Sequence, residues 1–196
     1  IGLYNQGKFQ EVLARSGQLS DTFSENHMFF NTLGASYTHL GRLDEAIMSY
    51  NKAIELKPDY AEAYNNLASA FKELGRLAES ESLYLQAIEL KPDFHQFYNN
   101  LGITVRLRGR YDEAISNYIR SIVLAPDYAE AYNNLGVELK ADNTQKNLAI
   151  DNYNRAIQIK PDYFDAYRNL ALVLTSYGSQ GFSNRIAKNY LNILEL

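Results

Sequence analysis

Along residues 61–74 the apolar side chains Ala63, Tyr64, Leu67, Ala68, Phe71 and Leu74 recur in steps of three and four, which predicts one amphipathic helix. Residues 77–90 repeat the pattern with Leu77, Leu83, Tyr84, Ala87 and Leu90, and Ser80 takes a small-residue place on the same face. Gly75 separates the two stretches and supplies the left-handed residue that ends a helix. Gly41, Gly109 and Gly178 fall at the equivalent place, with Asn143 as the second choice. Each second helix stops at a proline, which cannot continue the hydrogen-bond ladder. Pro58, Pro92 and Pro126 are spaced 34 residues apart and Pro161 follows after 35. A fixed period of this length with two helices per repeat predicts an all-α helical solenoid.

The repeat boundaries follow. Residues 1–26 read as a partial N-terminal repeat, and 27–60, 61–94, 95–128 and 129–163 as full ones, the last with one inserted residue near Asp142 that should bulge the turn outward. Residues 164–196 read as a degenerate C-terminal repeat. Asp59, Asp93, Asp127 and Asp162 follow the prolines and are expected as helix N-caps, with Glu62, Gln96 and Glu130 completing capping boxes. Small residues hold three recurring places: Gly34, Ala68, Gly102, Gly136 and Ala171; Ala46, Ser80, Ala114 and Ala149; Ala53, Ala87, Ser121 and Ala156. Helices joined by short turns need small side chains where their axes approach. The aromatic places opposite, such as Tyr64 and Tyr98 in first helices and Tyr84 and Tyr118 in second ones, are read as packing residues.

Composition narrows the function classes. The chain has 196 residues, 46% of them hydrophobic, and the absence of any apolar run near the ~18 residues of a membrane span argues against insertion. A net charge of -4 argues against nucleic acid as the main partner. There is no cysteine, hence no disulfide or thiolate chemistry. We read the chain as a fragment of a longer protein, because it opens partway into a repeat and stops on an apolar residue, and we expect a cytoplasmic location.

The recurring aromatic, Leu, Gly/Ala and Tyr places of the first helices, the Ala, Tyr and Ala places of the second and the terminal Pro together resemble the tetratricopeptide repeat family. The resemblance implies a right-handed α-α superhelix of antiparallel helix pairs, whose first helices line a concave groove. It also implies which places face that groove, counting from the first residue of each repeat: the second, fifth, sixth, ninth, twelfth and thirteenth.

Carried onto this chain, the fifth and sixth places read Asn31 and Thr32, Asn65 and Asn66, Asn99 and Asn100, Asn133 and Asn134, Arg168 and Asn169. Asparagine is a mediocre helix former, so its recurrence in mid-helix asks for a reason. One reading is an amide ladder that binds the backbone of an extended peptide, since each amide offers donors and an acceptor. The other is that one Asn of each pair bonds the neighbouring helix. The ladder is similar to that in the superhelix of O-linked N-acetylglucosamine transferases and related bacterial proteins. Lys72, Arg106 and Lys140 share the twelfth place as a basic row, while Glu62, Glu130 and Asp165 hold the second place as an acidic margin. Arg106, Arg108 and Arg110 add a local basic cluster. With Met28, Glu62, Gln96, Glu130 and Asp165 at the second place, no carboxylate clamp for a chaperone tail is expected.

Catalytic patterns are missing. His27, His39 and His95 are scattered without metal-ligand spacing, and no phosphate-binding loop, dinucleotide fingerprint or nucleophile elbow is present, so neither cofactor nor metal is expected. Three readings stay open. The first is a non-catalytic module that binds a protein or peptide. The second is the substrate-recruiting arm of a larger, glycosyltransferase-like enzyme. The third is self-assembly into a homo-oligomer through terminal helices, with Ile186, Tyr190, Ile193 and Leu194 as the exposed face.

Overall fold

The computed structural model describes residues 2–19 and 22–176. The chain divides into two compact units, Ile1–Arg108 and Gly109–Leu196. Among the described residues of the first unit seven helices follow one another: α1 Gly2–Asn5, α2 Phe9–Leu19, α3 His27–His39, α4 Leu43–Leu56, α5 Ala61–Glu73, α6 Leu77–Leu90 and α7 His95–Leu107. The second unit holds α8 Tyr111–Leu124, α9 Ala129–Leu139, α10 Lys146–Ile159 and α11 Phe164–Ser176. No strand occurs among the described residues. Helices α3 and α4, α5 and α6, and α9 and α10 pack as hairpin pairs, and each pair stacks on the next helix within its unit. The architecture is therefore an all-α helical repeat.

The turn chemistry explains where the helices stop. Gly41, Gly75 and Gly109 sit at φ 71, 74 and 78°, the left-handed region that favours glycine. Behind Gly75 the Arg76 N–H reaches back to the Phe71 carbonyl at 2.9 Å, satisfying a carbonyl the helix leaves open. The fourth such turn departs from the pattern, because Asn143 opens a short 3-10 turn, Asn143–Gln145, instead of ending α9 as a glycine would. Asp142 holds that turn by accepting from the Thr144 N–H at 2.8 Å, so the inserted residue is absorbed between two intact helices.

The expected aspartate caps are overturned. The N-cap positions of α5, α7 and α9 are Tyr60, Phe94 and Tyr128, none with a side-chain cap bond. The Pro-Asp pair forms a turn that puts the aspartate one residue too early. Its backbone carbonyl does the accepting, as when Ala61 N–H donates to Asp59 O at 3.2 Å. The aromatic that follows is drawn into the core, with Phe94 4.6 Å from Phe97 between ring centres. Glu62, freed from a capping box, pairs with Lys91 at 3.1 Å. A side-chain cap does occur at α3, where Asn26 Oδ1 accepts from the Phe29 N–H at 3.0 Å.

The small-residue places lie where predicted, between helices. Ala46, Ser80, Ala114, Ala149, Ala53, Ala87, Ser121 and Ala156 are all fully buried. A Cβ added at Gly34 would lie 2.6 Å from the Tyr50 ring and one at Gly136 would lie 2.7 Å from the Tyr153 ring, so these tyrosines use the space that glycine leaves. Tyr84, Tyr118 and Tyr153 are the largest fully buried side chains among the described residues. Tyr50 shares a hydrogen bond with Thr38 Oγ1 at 3.1 Å, and Tyr84 one with Ser69 Oγ at 2.8 Å. The first-helix tyrosines Tyr98 and Tyr132 are only half-buried and bond backbone, donating to the Pro92 carbonyl at 2.9 Å and the Pro126 carbonyl at 3.3 Å.

Burial pushes the phenols of Tyr50, Tyr84, Tyr128 and Tyr163 up to about 12. In the unfolded chain they ionise near the ordinary ~10. Between those values the unfolded state sheds protons that the folded state retains, so stability is full below pH ~10 and falls as pH rises toward 12. Raising pH while following tyrosinate absorbance and helical circular dichroism should show helix loss coupled to ionisation of the buried phenols. Complete ionisation near pH 10 with intact helices would contradict this account.

Candidate functional site

The asparagines of the first helices form a hydrogen-bonded relay. In the first unit Asn100 Nδ2 donates to Asn65 Oδ1 at 2.9 Å, Asn65 Nδ2 to Asn66 Oδ1 at 3.1 Å, and Asn66 Nδ2 to Asn31 Oδ1 at 3.0 Å. Asn31 Nδ2 closes the chain on Tyr60 Oη at 3.4 Å. The second unit repeats the end of this motif: Asn169 Nδ2 donates to Asn133 Oδ1 at 3.0 Å, and Tyr163 is hydrogen-bonded to the same Asn133. A sixth-place amide thus bonds the fifth-place carbonyl of the repeat before it. Aligned amides in series polarise one another, which strengthens such a chain beyond single pairs.

This geometry separates the two asparagine places. Asn99 and Asn133 are 3% and 6% exposed, so the fifth place is not the open groove position expected for them. The physical reason is the rung itself: an acceptor that receives the next helix's amide must lie between the helices. Asn65 is half-buried. The sixth-place Asn66, Asn100 and Asn169 are half-buried too, and each has spent one amide proton on the stack. Among the described residues Asn100 Oδ1 receives no donor, and each of the three keeps a second N–H. Asn134, also half-buried, is engaged within the protein.

Charged residues are distributed unevenly around the relay. Lys72 stands at the end of the line Asn65, Ser69, Lys72, and Lys140 at the end of Asn133, Val137, Lys140. Both lysines are half-buried. Desolvation holds the Lys72 ammonium below the usual lysine range, against a smaller upward pull from Glu73. Arg106, at the same place in α7, is half-buried and engaged. The acidic margin is neutralised in place: Glu62 by Lys91, Glu130 by Lys160 at 3.8 Å and Asp165 by Arg168 at 3.0 Å. The basic cluster dissolves as well, since Arg108 pairs with Glu81 and Arg110 with Glu113.

Two features were invisible in the pattern. Tyr60 and Tyr163 terminate amide chains, which their recurrence as an aromatic place did not reveal because Phe94 fills the same place without a hydroxyl. A cavity of about 530 Å3 lies against Leu3, Val12, Phe23, Met28 and Phe29, with Arg15 on its wall. No group of His, Asp or Glu that could hold a metal occurs among the described residues, and no helix there is long and apolar enough to cross a membrane. Ile186, Tyr190, Ile193 and Leu194, the expected assembly face, and Gly178 lie outside the described residues.

A family model described as TPR repeat matches residues 34–75, 105–140 and 145–178, and two described as tetratricopeptide repeat match 61–94 and 83–116. The chain belongs to the tetratricopeptide repeat family. Tetratricopeptide repeats bind protein or peptide partners, which makes this chain a protein-interaction module. No curated protein matches it. Among solved structures it is similar to MamA, with 23% identity over 82% of this chain and 93% of that one and a TM-score of 0.70. It is also similar to YrrB, described as a TPR protein with an unusual peptide-binding site, at 16% identity over 90% and 91% of the two chains and a TM-score of 0.67. A chain of the APC/C hetero-tetramer Cut9-Hcn1 aligns with 97% of this chain and 37% of its own length, at 20% identity and a TM-score of 0.83. At these identities the likeness is one of fold.

Proposed function

We propose that the chain is a non-catalytic interaction module whose first-helix faces hold an extended segment of a partner protein against the sixth-place asparagines. The relay carries this reading. It fixes Asn66, Asn100 and Asn169 in orientation by one proton each and leaves the second proton for a ligand, with the Asn100 carbonyl as an acceptor. Amides held in place lose little entropy on binding, so bonds worth ~1 kcal/mol each add up along a peptide backbone. YrrB, described as having a peptide-binding site, shares the fold. Lys72, Arg106 and Lys140 flank the amides as further contacts. The alternative of a recruiting arm in a larger enzyme uses the same faces.

The test is binding of the purified chain to an unstructured peptide library, with the selected peptides remade carrying N-methyl groups on alternate residues. Backbone recognition predicts at least a tenfold loss on methylation, and a comparable loss for an Asn66/Asn100/Asn134 triple alanine variant of confirmed helicity. Unchanged binding in both arms would refute the amide face as the working surface.

A further inference from the structure

The ion pairs around the first-helix faces are lopsided. With a net charge of -4 the chain as a whole favours a basic ligand. Locally the balance is reversed. Glu62, Glu130 and Asp165, the acids at the second place, each have a cation of this chain within 4 Å. Acid and lysine occur together as Glu62 with Lys91 and Glu130 with Lys160, and Gln96 has Ala125 at the equivalent position, while Lys57 stands there without an acid because the second place is Met28. The acidic row is therefore part of the stack. The twelfth-place lysines have no such counterpart. The side chains of Lys72 and Lys140 make neither a hydrogen bond nor an ion pair among the described residues, and Glu73, adjacent in the chain, acts on Lys72 only as a weaker charge.

Lys72 is half-buried and desolvation disfavours its charged form, which is costly because burial strips water from the ammonium and no carboxylate at ion-pair distance replaces it. Packing does not require it. The same place holds Thr38 in α3, where the hydroxyl serves Tyr50, and Thr175 in α11. A cation in the last turn of a helix gains from the helix dipole, yet that gain is available to a lysine extended into water and does not account for burial. An incoming carboxylate would supply the missing partner as a charge-assisted hydrogen bond.

We infer that the segment held by the first unit is an acidic peptide, an Asp or Glu side chain meeting Lys72 beside the amides that hold its backbone, and that Lys140 offers the same place to an acidic segment on the second unit. This deepens the peptide-binding reading and rests on it. It differs from a carboxylate clamp, since the anions are side chains along the segment and the receiving place is the twelfth.

The experiment compares a Glu-rich unstructured peptide with its Gln isostere, a Lys-rich peptide and a single-stranded oligonucleotide of matched charge, by fluorescence anisotropy on the full chain. The Glu peptide should bind at least tenfold more tightly than each of the others. A Lys72→Met/Lys140→Met variant should erase that margin, the Glu peptide then binding no more tightly than its Gln isostere, and Lys72→Gln/Lys140→Gln provides the same test should methionine disturb the fold. Equal binding of the Glu and Gln peptides, lost in Asn100→Ala, would overturn the acidic ligand and leave the amide face standing. Preference for the Lys peptide, or an oligonucleotide bound as tightly as the Glu peptide, would also overturn it. Binding of no peptide at all would bring down the amide face and this inference together.

Discussion

Tyr84→Ala should destabilise the chain by about 3–5 kcal/mol, the cost of emptying a large, well-packed aromatic site. The side chain is fully buried on α6 and shares a hydrogen bond with Ser69 on α5, so the substitution removes both the filling of the pair and its polar tie. In a stack where each repeat leans on its neighbours, the loss also weakens coupling to the helices on either side. Thermal melting followed by circular dichroism should show a midpoint lowered by roughly 10 °C. Two milder substitutions sharpen the test. Tyr84→Phe should cost about 1 kcal/mol for the lost bond. Tyr153→Phe should cost almost nothing, because Tyr153 Oη is buried with no hydrogen-bond partner. A Tyr84→Ala melting curve that overlays the wild type would show that the second-helix tyrosines do not build the core.

Asn169→Ala should cost about 1–3 kcal/mol, the penalty for leaving a buried acceptor unmade. Asn133 Oδ1, on a side chain 6% exposed, receives its bond from Asn169 and would be shut away from water without it. Asn169→Asp keeps the shape and removes the donor, so it should cost at least as much at neutral pH. Denaturant midpoints of the two variants settle the point. An unchanged midpoint for both would mean that the sixth-place amide is dispensable to the stack and reserved for ligand. The structure divides the work instead, with one amide proton for the stack and one left over, so the same variants should lose stability and binding together.

The amide faces show what a repeated sequence can and cannot separate. A place kept constant from repeat to repeat answers either to stacking or to a repetitive ligand, and both leave the same mark. Asn65 and Asn66 look alike in the chain, yet the fifth place turns inward to accept and the sixth bridges outward. The charged rows were indistinguishable on paper for a similar reason. That Glu62 is neutralised depends on Lys91, 29 residues away and brought near only by packing of the pair.

What the sequence determined by itself is everything that follows from period and local sterics. The 34-residue spacing of the prolines, the helical steps of the apolar residues, the left-handed glycines at 41, 75 and 109 and the small places at helix crossings each depend on a few neighbours or on simple volume. They specified the all-α repeat without further information. Tertiary structure alone decided which polar atoms find each other. The aspartates lost their capping role to a one-residue offset of the turn, Tyr60 and Tyr163 became ends of amide chains, and the acidic margin was paired off while Lys72 and Lys140 were left uncompensated. Hydrogen bonds and ion pairs are fixed by distances within an ångström, and only the stacking of helices remote in sequence sets those distances.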